Sequence, residues 1–133
     1  MEKIFNTFSI VIALIGGICC KYLGGWDLLL KSIIALVVLD YITRILASIY
    51  TKTLSSQAGF KGLIKKIFIF IVIATSFIIQ QIVGDAIPLR EVTVIFFICN
   101  EGISILENAS EFIPIPEKLK SVLIQLRDKG EGN

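Results

Sequence analysis

Four long apolar runs, separated by short joints of glycine, proline and charge, set the pattern of this chain. Runs approaching about 20 apolar residues suit helices that cross a bilayer. The first, Ile4 to Cys20, lies between Lys3 and Lys21. It is near the lower limit for a span, and Lys21 can snorkel to relax that limit. No cleavage-like A-x-A follows, so the pattern predicts a retained helix rather than a signal peptide. Ser9, Ala13 and Gly17 recur at every fourth position. Such a stripe lets a second helix approach closely, unless the spacing is chance. Tyr22-Leu23-Gly24-Gly25-Trp26-Asp27 then predicts a tight hairpin, with interfacial aromatic rings and Asp27 placed to cap the next helix.

The second run, Leu28 to Tyr50, carries Asp40 and Arg44 near its middle. Two central charges cost roughly 5–7 kcal/mol on insertion scales, and about a dozen Leu, Ile and Val residues return roughly 4–7. The sums nearly cancel, so this helix needs partner helices or a wet cavity. Asp40 and Arg44 are i and i+4 with the acid first, the better order for an intrahelical pair. They either neutralise each other or line a polar face in an assembly.

Thr51 to Gly62 is a polar joint. Lys52, Lys61, Lys65 and Lys66 make it, with its flank, the most basic loop, and lysine-rich short loops stay in the cytoplasm. The third run, Ile67 to Gly84, is uncharged, with Gln80 and Gln81 near its far end. Pro88 marks the following turn. The fourth run starts at Arg90. Val92, Ile95, Phe96, Cys99, Ile103 and Leu106 form an apolar stripe; Glu101, Ser104, Asn108 and Glu111 form a polar one, flanked by Asn100 and Glu107. Two placements fit, a span with its polar side toward other helices or water, or a helix lying in the interface; the span is preferred. Pro116 suits the first turn of a last helix. Its apolar face is Leu119, Val122, Leu123 and Leu126, drawn either to anionic lipid or onto the protein itself.

The predicted architecture is an all-α membrane protein with four transmembrane helices, the fourth alternatively interfacial, and a short amphipathic cytoplasmic tail helix. One domain, 1–133, is expected, with spans near 4–22, 28–50, 64–84 and 91–109 and the tail at 116–128. With the basic joint inside, both termini are cytoplasmic, in the membrane of a bacterial cell. The candidate polar or pore-lining face is Asp40, Arg44, Gln80, Asn100, Glu101, Ser104, Glu107 and Asn108.

Composition narrows the function. The chain is 55% apolar, with a mean hydropathy of +0.83, too high for an ordinary soluble domain. A net charge of +2 is too small to suggest nucleic-acid binding. Histidine is absent, and Cys19, Cys20 and Cys99 sit in apolar runs without a CxxC, so no metal or cofactor is expected. No P-loop, GxSxG, HExxH or dinucleotide fingerprint occurs. Asp40, Glu101 and Glu107 could in principle supply a carboxylate pair, but no soluble domain holds a substrate, so catalysis is not expected. Moving something across a membrane, or breaching it, remains.

Several stretches carry a resemblance. These are Gly24-Gly25-Trp26-Asp27; Asp40-Tyr41-Ile42-Thr43; Leu54-Ser55-Ser56 with Gly59, Gly62, Lys65 and Lys66; Asn100 through Ala109; and Pro114-Ile115-Pro116-Glu117-Lys118-Leu119. In this order and spacing, over roughly Lys21 to Arg127, the chain resembles the toxin secretion/phage lysis holin family of Gram-positive phages and prophages, which includes the holin linked to large-toxin release in clostridia. The resemblance implies a homo-oligomer that accumulates in the cytoplasmic membrane and then forms lesions. These depolarise the membrane and pass an endolysin or toxin, a cargo not stably bound. Where the family commonly has a small residue after Asp-Tyr-x-Thr, this chain has Arg44. A small oligomeric channel or transporter subunit, or an inhibitor of a partner holin, are the alternatives.

Overall fold

The computed structural model describes residues 1–131, and these are wholly helical outside the turns. Five helices follow in order: α1 (Glu2–Tyr22), α2 (Leu28–Tyr50), α3 (Ser56–Val83), α4 (Leu89–Ala109) and α5 (Glu117–Glu131). The first three are long and apolar enough to cross a membrane. α4 has the length of a span, but its polar stripe takes it outside that group.

Local chemistry fixes the ends. Asp27 caps α2 by accepting a hydrogen bond from the Leu30 amide at 3.0 Å, and Ser55 caps α3 through Ala58 N at 3.1 Å. Gly24 and Gly25 both have positive φ, 95° and 103°, a conformation cheap only for glycine. A Cβ on Gly24 would also collide with the Arg90 side chain. Here the sequence motif has two physical reasons, a turn and a close approach.

α2 packs chiefly on α4, and α4 also carries α3 and α5. The apolar core is small: Leu30, Ile33, Val37, Ile69, Ile73 and Val94, where α2, α3 and α4 meet. Most other large apolar side chains on α1, α2 and α3 are exposed. An outward apolar surface is what a bilayer solvates, so burial in lipid replaces burial in protein. α1 is the extreme case: none of its residues is buried against the other described residues, and it touches only α3 slightly.

α5 folds back along the second half of α4. Lys120 meets Glu107 at 3.0 Å, Leu123 lies beside Gly102, and Arg127 donates to Asn100 Oδ1 at 3.1 Å. Of the two destinations its sequence left open, it takes the protein's own surface. The two helices lie close there: a Cβ on Gly102 would touch Leu123 Cδ1 at 3.4 Å, an ordinary contact.

Candidate functional site

At the meeting of α2, α3 and α4, three ionic side chains are buried together: Asp40, 0% exposed, Lys66, 7%, and Glu101, 3%. The Lys66 ammonium donates to Asp40 Oδ2 and, at 2.6 Å, to Glu101 Oε2. Asn108 Nδ2 donates to Asp40 Oδ1 at 3.0 Å and to Thr43 Oγ1 at 3.0 Å. Each helix of the core therefore supplies a charge that none could hold alone in a low-dielectric setting.

Neighbouring contacts explain the motifs. Tyr41, next to Asp40, lies over a bare face of α3: a Cβ on Gly59 would stand 3.7 Å from its hydroxyl oxygen, and one on Gly62 3.9 Å from its ring. Its hydroxyl donates to Gly59 O at 3.4 Å. The Asp-Tyr-x-Thr stretch, the two glycines and Asn108 thus converge, although they lie far apart in the chain.

The candidate residues divide into four groups. Asp40, Glu101 and Asn108 join the network. Arg44 stands at its edge, 4.0 Å from Asp40 with its side chain 48% exposed; Ser104 lines the same edge. Asn100 and Glu107 bind α5, and Asn100 also borders that edge. Gln80 lies at the opposite end of the core, where its Oε1 accepts from Arg90 N at 2.7 Å. Lys66 is the residue that sequence reading placed elsewhere. Counted with Lys52, Lys61 and Lys65 as part of a basic loop, it sits a full two turns inside α3 and points into the core. Lys61 and Lys65 also lie within α3, on its exposed side, and Lys52 is in the turn. Successive helical residues diverge by about 100°, so of the adjacent Lys65 and Lys66 only one faces inward. Ser9, Ala13 and Gly17 meet no helix within this monomer; nothing lies within 4 Å of where a Gly17 Cβ would be.

A second polar junction was missed altogether. Arg90, 2% exposed, clamps the Gly24 hairpin to the start of α4. Its Nε donates to Leu23 O at 2.8 Å, and its two terminal nitrogens donate to Asp27 at 2.6 and 2.9 Å. The Arg90 hydrogen bond holds the Asp27 carboxyl down at about 2, against the opposing effect of partial burial. A carboxyl depressed in the folded state stabilises fully above its ordinary value near 4. That stabilisation is lost as pH falls through this window toward about 2. Thermal unfolding in detergent between pH 5 and 2 should show this loss, and Asp27→Asn should flatten that part of the profile.

These features define a class: a small all-helical membrane protein whose polar groups are hidden between its helices. The sequence profile of the bacteriophage holin family matches residues 17–128, and this chain belongs to that family. Among its relatives is the "uncharacterized 14.9 kDa protein in nagH 3'region" of Clostridium perfringens, 35% identical over 97% of this chain and 99% of that one. A protein of Listeria innocua, Lin0175, is 42% identical over 76% of this chain and 73% of that one. The "probable holin" of Bacillus phage phi105 is 32% identical over 71% of each. No solved structure matches.

Proposed function

We propose that this protein is a holin that builds up silently in the bacterial cytoplasmic membrane and then self-assembles into lesions. Through these an endolysin or a toxin crosses. One observation carries the mechanism: the Asp40–Lys66–Glu101 network with Asn108, held shut between three helices. In the lone copy these groups satisfy one another. In a ring of many copies the same groups turn to water and line the opening. The switch is an exchange of partners, protein for water, between two arrangements of similar free energy.

The Gly24 hairpin and the Gly84 turn lie at one end of the core, joined through Arg90, while the Thr51 joint and the 110–116 segment lie at the other. Placing the lysine-bearing end in the cytoplasm puts the N-terminus and the start of α5 there. α4 then returns the chain across the membrane as the fourth span. Its first half packs Val94 into the apolar core, with Arg90 and Thr93 bonded to neighbouring segments, and its polar second half is sheathed by α5.

Asp40→Leu and Glu101→Leu, made singly, are expected to shift the onset of lysis by at least severalfold in a host that also makes a cell-wall hydrolase. Timing and dye leakage unchanged in both variants would remove the network from the mechanism.

A further inference from the structure

Beside the network, a cleft of about 280 Å³ opens between α2, α3 and α4. We propose that it binds the headgroup and upper acyl chain of one anionic phospholipid. Arg44, Lys65 and Ser104 line the cleft together with Glu101 of the network, and Phe68, Val72 and Phe97 add apolar lining. The two cations are available. Among the described residues Arg44 makes only the 4.0 Å ion-pair contact to Asp40, whose oxygens are already taken by Lys66 and Asn108. Among the described residues no carboxylate lies within ion-pair distance of Lys65.

The level of the cleft suits a headgroup. Leu28 to Arg44 rises about 24 Å along α2, and Val83 to Lys65 about 27 Å along α3, at 1.5 Å per residue. A hydrocarbon core is about 30 Å thick. With the Gly24–Gly84 end at one membrane face, the two cations reach the other. Lys120, paired with Glu107 near the end of α4, stands at this level too. Guanidinium and ammonium donors would hold the phosphodiester, and the acyl chain would descend over Phe68, Val72 and Phe97. This occupant replaces water on Arg44 and excludes it from the outer side of the network. The inference goes beyond the lytic role and is read without lysis.

The test is native mass spectrometry of the full chain in detergent, titrated with phosphatidylglycerol, phosphatidylcholine or inorganic phosphate. One phosphatidylglycerol per chain should bind about 10–30-fold tighter than phosphatidylcholine, as two near-surface cations imply. Arg44→Gln with Lys65→Gln should abolish that preference, and Val72→Trp should weaken it by filling the cleft without altering charge. Lys21→Gln with Lys31→Gln, away from the cleft, should leave it intact. Circular dichroism checks that each variant stays helical. The proposal is overturned by equal binding of the two lipids, by a preference that survives in the Arg44/Lys65 variant, or by its equal loss in the Lys21/Lys31 variant. Displacement by inorganic phosphate at the same concentration would make the site one for a free anion. A dimer forming in place of the lipid adduct would make a second copy the occupant. Either result contradicts a lipid site.

Discussion

Lys66→Met is expected to destabilise the folded monomer by about 3–5 kcal/mol, because it strands two buried carboxylates without their cation. Methionine matches lysine in length and flexibility, so packing is largely kept and the loss is electrostatic. Asp40 is fully buried and Glu101 nearly so, and Asn108 alone cannot compensate both. In cells the same substitution should bring lysis forward severalfold or more, or leave too little folded protein to accumulate. The triple variant Asp40→Asn, Lys66→Met, Glu101→Gln removes charge from all three positions and should regain most of the lost stability. Detergent unfolding followed by circular dichroism measures both. A single variant as stable as the native chain would mean that the three charges do not hold the helices together.

The second large effect is expected at the opposite end. Arg90→Met removes the donors to Leu23 O and both oxygens of Asp27, and should cost about 2–3 kcal/mol, given that charged hydrogen bonds contribute about 1.5–3 each. The lower figure reflects Asp27, whose side chain is 46% exposed and can recover water. Because Arg90 is what ties the α1–α2 hairpin to α4, the loss should appear first as faster hydrogen exchange at 23–30 and 88–92, with the Asp40 region still protected. Uniform loss of protection would show that the two junctions unfold as one.

Much of this was legible one-dimensionally. Hydrophobic run lengths define α1, α2 and α3, since bilayer thickness imposes them. Asp27, the glycines and Pro116 mark their turns for reasons local to the backbone. Asp40 announced its need for a partner, because a mid-span carboxylate has no cheap alternative. Its nearest cation in sequence, Arg44, was the natural candidate, yet the partner in closest contact is Lys66, 26 residues away. Nothing local marks that pairing. Positive-inside reasoning treats every lysine near a joint as solvent-facing, and the helical phase that turns Lys66 inward and Lys65 outward depends on where α3 begins. Ser55 and its cap, ten residues upstream, contained that phase.

The fourth helix was undecided for a related reason. Its polar stripe is compatible with water, with an interface or with protein. In the structure its polar residues face two different protein neighbours: Glu101 and Asn108 of the stripe the core, and the flanking Asn100 and Glu107 α5. Arg90 went unread because it looked like the charged boundary of a span. Its acceptors are two backbone carbonyls and a capping carboxylate that only the folded hairpin brings together.

The account stands or falls on accumulation without leakage followed by collective opening. The direct measurement is membrane potential, with release of a cytoplasmic enzyme of known size, recorded together after induction in a bacterium. A potential held steady while copies accumulate, then lost abruptly with the enzyme escaping once the wall is cut, is the predicted course. Conductance rising in step with the first copies, or dense accumulation with neither depolarisation nor escape, would contradict it.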